Sequence, residues 1–287
     1  MTTRTSTSTS RNSRAAEIVF FALLAAASAA AQNEPSFILF PESEQTFRQL
    51  TADPRHIHIG ASYYRLDGHN EADAALGHSW GMAHWETGDG RWQWQTNIEA
   101  MAYSRFLIGG SVNQFETVDF LANLPLAVRH GGFSARAMMF HESSHLGDDF
   151  IRRTGSTGFR YSIDGTEVAF SYEPSFWSRI YCGMSYLLHT LPSPARKTAQ
   201  WGVEFSSKDV AVSRIYPLRF YLAQDFQSHE NVRYNVNSNT EAGVMIGFKD
   251  VKRFLRVYGN YFEGHTPYGQ FFSKREHSLS LGVSFRI

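Results

Sequence analysis

A single cysteine, Cys182, stands among 287 residues. That excludes a disulfide framework within the chain and a zinc site built on thiolates. An excess of charge of one sign is also missing. The 27 basic and 27 acidic side chains balance, so nothing in the composition argues for nucleic acid as a partner. What the chain has in quantity is aromatic side chains, 15 % of the total with 23 Phe and 13 Tyr. That suits a β-protein with alternating faces better than a bundle of membrane helices, each of which needs about 20 predominantly apolar residues.

The first feature in chain order is a secretory signal. Arg4, Arg11 and Arg14 precede an apolar core at 18–27, and Ala29, Ala30 and Ala31 supply small residues for cleavage before Gln32. Residues 1–31 are therefore set apart; their removal leaves 24 basic against 26 acidic side chains. Residues 32–55 hold no strand period and carry Pro35, Pro41 and Pro54, which predicts an irregular periplasmic lead-in before one domain at 56–287.

From there the pattern becomes short alternating segments separated by turn signals. They lie near 57–66, 74–86, 92–105, 115–128, 133–146, 158–172, 177–189, 198–206, 210–224, 232–248, 253–262 and 276–287. Links alternate in length: short at 87–91, 130–132, 173–175, 207–209 and 249–252, longer at 147–157, 191–197, 225–231 and 263–275. This layout predicts an antiparallel transmembrane β-barrel of about twelve strands, with short periplasmic turns and longer extracellular loops. In the last segment Leu279, Leu281, Val283, Phe285 and Ile287 alternate with Ser278, Ser280, Gly282, Ser284 and Arg286, one face for lipid and one for the lumen. The expected location is the bacterial outer membrane, with membrane lipid as surroundings and the barrel-assembly machinery as the partner during insertion. Charges inside the segments (Arg136, Arg160, Asp164, Glu167, Arg214, Arg233, Arg256, Arg286) are expected to face inward, since an Arg turned to lipid at midplane costs about 2–4 kcal/mol.

Three blocks carry a family resemblance: TADPR at 51–55, HESSHLGDD at 141–149 and GHTPYGQF at 264–271. On these the chain resembles a bacterial family known as domain of unknown function 1207. The resemblance implies a Gram-negative envelope protein and brings no activity with it.

The densest chemistry lies in HESSHLGDDF at 141–150. Phe133, Ala135, Ala137 and Met139 form an apolar face, and the same parity puts His141, Ser143 and His145 on the lipid side near the outer rim. A neutral imidazole two residues from a serine on one strand face lies about 6–7 Å away along the strand and can activate the hydroxyl. This His-x-Ser spacing is similar to that of outer-membrane phospholipase A and the lipid A deacylases, which implies His141 as base and Ser143 as nucleophile. Those enzymes draw a third residue from about a dozen positions downstream. Here position 155 is Gly, and Phe159 and Tyr161 are expected to occupy the outward face of the next strand, leaving the imidazole without an orienting partner.

Other readings stay open. Ser144, His145, Asp148, Asp149, His265, Tyr268 and Gln270 form a candidate binding rim, with Asp148 and Asp149 suited to Ca²⁺ in the loop. No metal site is expected from His141 and His145, which stand about 13 Å apart on a strand. The same polar residues also suit ordinary strand ends, so the functional readings are a structural or binding barrel, an acyl hydrolase, and a narrow solute channel.

Overall fold

The computed structural model describes residues 35–42, 45–109, 112–175, 177–211, 217–248 and 251–286. The predicted signal segment lies outside them. Fourteen strands form one antiparallel sheet: β1 (Ser36–Leu39), β2 (Ile59–Leu66), β3 (His69–Glu86), β4 (Trp92–Ile108), β5 (Gln114–His130), β6 (Phe133–Leu146) and β7 (Tyr161–Ser175). They continue as β8 (Ser178–Leu191), β9 (Lys197–Ser206), β10 (Val210–Ala211), β11 (Pro217–His229), β12 (Val236–Phe248), β13 (Val251–His265) and β14 (Arg275–Arg286). Twelve of them close into a barrel, because β14 pairs with β2 as well as β13. Closure leaves no open edge along the wall, which is what a β-structure in hydrocarbon requires.

Alternation decides the faces. In β14, Leu279 and Leu281 are 71 % and 72 % exposed while Ser280 and Ser284 between and beyond them are buried. In β5 and β6, Phe120, Leu124, Phe133 and Met139 are exposed, whereas Asp119, Ser134 and Ser144 are buried. The molecule is apolar outside and polar inside, the inverse of a soluble core. Arg136, Glu167 and Arg256 line the lumen as expected: Arg136 pairs with Glu167, and Arg256 with Glu241. Three other positions differ. Asp164 faces outward, Arg160 precedes β7, and Arg233 sits in the turn after a short 3-10 helix (Glu230–Val232). Arg214 and the Arg286 side chain lie outside the described residues.

The lead-in is the main correction. β1 pairs with the lower end of β3, Leu39 opposite Ala83, and β2 pairs with its upper part, Ile59 opposite Leu76. Between them the chain leaves the wall at Phe40, whose φ is 51°, and residues 45–58 fill the lumen as a plug. Missing strand period did not mean missing structure: Phe47, Leu50, Ala52 and Ile57 are each at most 6 % exposed. The plug is held from many sides. Arg179 donates to the carbonyls of Arg48 (2.8 Å) and Gln49 (3.0 Å), and the Thr51 amide to Glu204 (2.7 Å). Asn239 donates to the Ala52 carbonyl (2.6 Å), and the Phe47 ring lies against the Arg136 and Arg179 guanidiniums. A plug cannot form a backbone ladder, so wall side chains satisfy its amides and carbonyls.

From the other end, the β13–β14 loop folds inward. Tyr268 is fully buried, stacked on Tyr103 at 4.7 Å with Arg105 over its far face. A helix, α1 (Asp148–Thr154), lies in the β6–β7 connection and sets Phe150 against Phe271. A cavity of about 230 Å³ remains between the plug and the wall, lined among others by Arg136, Glu142, Glu167, Lys197 and Gln227.

Candidate functional site

β6 enters at a two-residue turn, Gly131–Gly132, and rises to Leu146 at the long-loop rim. Strict alternation over 14 residues turns His141, Ser143 and His145 outward and Glu142, Ser144 and Leu146 inward. The neighbouring strand supplies what the sequence reading lacked. In β7 the outward positions are the even ones, with Val168 (41 %) and Phe170 (56 %) exposed while Ala169 and Ser171 are buried. That parity carries up to Asp164 and Ser162 and turns Tyr161 inward, against expectation. The β6–β7 register sets His141 opposite Asp164 and Ser143 opposite Ser162.

His141 Nδ1 and Asp164 Oδ1 are 2.7 Å apart, each side chain about half exposed. Donation from Nδ1–H to the carboxylate fixes the ring and leaves the Nε2 lone pair free on the opposite edge. Ser143 lies two residues further along the same strand face, about 6–7 Å away along the strand. Outward apolar neighbours, Phe120, Met139 and Leu188, surround the group. An ionisable pair on the lipid-facing side of a barrel is costly, and that cost is the usual mark of a functional position. On the far side of Asp164, β8 carries a bulge that places exposed His189 opposite it.

The remaining candidates divide. Ser144 and Gln270 are turned inward and bonded to each other, and Tyr268 is buried against Tyr103 and Arg105, so they do not present a rim to an outside ligand. His145 is exposed, its ring 6.0 Å from Phe120. Asp148 and Asp149 are helical rather than in an open loop. Asp149 accepts the Phe115 amide and pairs with Arg152, which also approaches Asp148 at 3.7 Å. Among the described residues no group of three or more His, Cys, Asp or Glu is arranged to hold a metal ion. His265 ends β13 half-buried, its amide and carbonyl both bonded to the Asn237 side chain.

Asp164 and Arg160 escape the rule that charges inside strands face inward. The signal that finds Asp164 is the alternation of Val168, Phe170 and Tyr172 with Ala169 and Ser171, read upward from the short-turn end. Arg160 follows from the same parity. Phe159 and Tyr161 both contact Phe272 on the inner side, so Arg160 between them projects outward, where it is exposed.

Comparison with solved structures agrees with the fold. Outer membrane phospholipase A from Escherichia coli superposes with a TM-score of 0.55 at 12 % identity, covering 82 % of this chain and 93 % of that one. The outer membrane phospholipase dimer with bound calcium from Salmonella typhi gives 0.53, also at 12 % identity and with the same coverage. The KdgM porin aligns over 80 % of this chain and 99 % of its own at 8 % identity, with a TM-score of 0.44. At such identities the likeness to the two phospholipases concerns the fold alone, a closed barrel of the outer-membrane kind. No curated protein matches. The family model described as "Protein of unknown function (DUF1207)" matches residues 16–287, and the chain belongs to that family.

Proposed function

We propose that this protein is an outer-membrane acyl hydrolase acting on ester-linked lipid at the membrane surface. Ser143 is its nucleophile, His141 its base and Asp164 the residue that orients the imidazole. One observation carries the reading: the lipid-facing His141–Asp164 pair at 2.7 Å, on the strand face that also bears Ser143. In the reaction Ser143 Oγ attacks the ester carbonyl while its proton passes to His141 Nε2. The alcohol leaves with that proton and an acyl-serine remains. Water, deprotonated by the same nitrogen, then releases the fatty acid and restores the serine. Throughout, the Asp164 carboxylate balances the imidazolium.

Position supports a lipid substrate. The group opens sideways, among Phe120, Met139 and Leu188, rather than into the filled lumen, so an acyl chain reaches it from the bilayer without leaving hydrocarbon. Arg160 and His145 stand one step nearer the rim, at the depth of the headgroups, and suit the phosphate of a glycerophospholipid. A solute channel has less support, because the plug and the inward loop both cross the lumen.

The test is fatty-acid release from phospholipid by the purified barrel in detergent, with and without Ca²⁺. Release that disappears in Ser143→Ala and His141→Ala supports the proposal. Absence of release under both conditions overturns it.

A further inference from the structure

The two faces of β6 are linked at the level of Ser143. Its neighbours Glu142 and Ser144 point into the lumen, and both are clamped there. Arg55 of the plug lies 2.8 Å from Asp119 Oδ2 and 3.0 Å from Glu142 Oε1. The same Asp119 oxygen accepts the Gly269 amide at 3.0 Å, and its other oxygen accepts the Ser144 hydroxyl. The Ser144 hydroxyl in turn accepts the Gln270 amide at 2.9 Å. The Gln270 side chain then donates from one nitrogen to two carbonyls, Ser144 O on β6 (2.9 Å) and Phe159 O just before β7 (2.8 Å). Asp119 is fully buried, Ser144 2 % and Gln270 7 % exposed.

This arrangement does more than fill space. β6 ends at Leu146, three residues past Ser143, and β7 begins at Tyr161 after a 14-residue connection, so ladder bonds near the rim have few neighbours to hold them. The β6–β7 register puts His141 beside Asp164 and Ser143 beside Ser162, and a slip at the rim separates both pairs. Gln270 ties the two strands together one residue above Ser143, while Asp119 and Arg55 fix the residues on either side of it.

We infer that Gln270, Ser144, Asp119 and Arg55 are positioning residues for the outward Ser143–His141–Asp164 group, so that the lumenal loop and plug control a reaction on the opposite face of the wall. The inference rests on the hydrolase reading above. None of the four touches substrate; each acts through the backbone of β6. Active groups must be held to within about half an ångström, and a misplacement of about 1 Å costs on the order of 100-fold.

The experiment uses the full chain folded in detergent micelles, a fluorophosphonate probe that labels activated serines, and a soluble short-chain ester. Labelling of wild type at Ser143, absent in Ser143→Ala, establishes the site. Gln270→Ala and the milder Ser144→Ala are then expected to slow labelling by about tenfold or more and to lower kcat for the ester while leaving KM unchanged. Arg55→Lys should retain more of the rate than Arg55→Ala. Asn97→Ala, which removes a lumenal bond to Ser79 between β3 and β4, serves as the control for general loosening and should label like wild type. Should Ser144→Ala, with its barrel intact by heat-modifiable gel mobility, label at the wild-type rate, the positioning role is wrong and the hydrolase reading stands. An Asn97→Ala barrel slowed as much as Gln270→Ala also overturns it. If wild type itself is not labelled at Ser143, the hydrolase reading falls and takes this inference with it.

Discussion

His141 on β6 and Asp164 on β7 face each other across one register position, Nδ1 to Oδ1 at 2.7 Å, on the side of the wall that carries the exposed apolar belt. Two ionisable groups there solvate each other poorly unless they remain paired, so the pair supplies an imidazole with one nitrogen engaged and one free. The cross-strand contact is also local: it depends on the β6–β7 register and on little else in the barrel.

Asp164→Ala should therefore reduce fatty-acid release by about 10⁴-fold, the loss that follows removal of an orienting carboxylate from such a triad. The barrel should be unaffected, because the side chain is half exposed and its bond is to His141. Steady-state release, with gel mobility as the control for folding, checks this.

Arg160→Gln should weaken selection for an anionic headgroup. A charge-assisted hydrogen bond contributes roughly 1.5–3 kcal/mol, so kcat/KM for a phospholipid should drop by about tenfold or more, while a neutral diacylglycerol is hydrolysed as before. Equal losses on both substrates would remove Arg160 from substrate recognition.

Glu204→Ala should destabilise the barrel by about 3 kcal/mol or more, because it leaves the Arg179 guanidinium, 1 % exposed, without its carboxylate. The same change removes the acceptor of the Thr51 amide. A lower urea midpoint for loss of the folded gel band, together with faster proteolysis within residues 45–58, is the expected pair of results.

Acid should loosen the plug. His58 is held at about 4, by burial first and with the Arg256 guanidinium adding to it; His56 is lowered too, by burial, His58 and Arg256. Above the usual value of 6.5 these rings are neutral whether the plug is docked or released, and they contribute no pH dependence. As pH falls from about 6.5 towards 4, these rings take up protons more readily released than docked and weaken docking, while the Asp53 carboxyl, raised by burial, opposes them. Protease sensitivity of the plug should rise over that window, and His58→Gln should flatten part of the rise.

In planar bilayers the intact protein should be silent, since plug and loop both cross the lumen. A variant lacking residues 45–56 that still folds should conduct in steps. Conductance by the intact protein at neutral pH would show that the plug does not seal.

How much of this was legible in the sequence depended on whether an element repeats. The faces of β6 and β14 could be read because alternation runs unbroken from Phe133 to His145 and from Leu279 to Phe285. Asp164 is turned the wrong way when Phe159 and Tyr161, around the start of β7, are taken as outward, and the right way when parity runs up from Tyr172. The plug had no chance of being read by period. Phe47, Leu50, Ala52 and Ile57 follow no strand or helix spacing, and their burial arises from Arg136, Arg179, Glu204 and Asn239, residues brought in from distant strands. Tyr268 and Gln270 stood out as rim candidates because a Gly- and Pro-bearing loop between strands resembles an exposed one. Its inward turn depends on Asp119 and Ser144, more than a hundred residues away in sequence.

The division of the first wall strand into β1 and β2 also constrains how the molecule is put together. Both halves are stitched to the same neighbour, β3, with only its residues 77–82 separating Ala83, opposite Leu39, from Leu76, opposite Ile59. The excursion between them is thus a tethered bight, fixed at both ends before the chain's last strand exists. β2 then zips to β14 over six paired positions, 59–64 with 280–285. A plug displaced from the lumen therefore stays leashed to β3 through β1 on one side and β2 on the other.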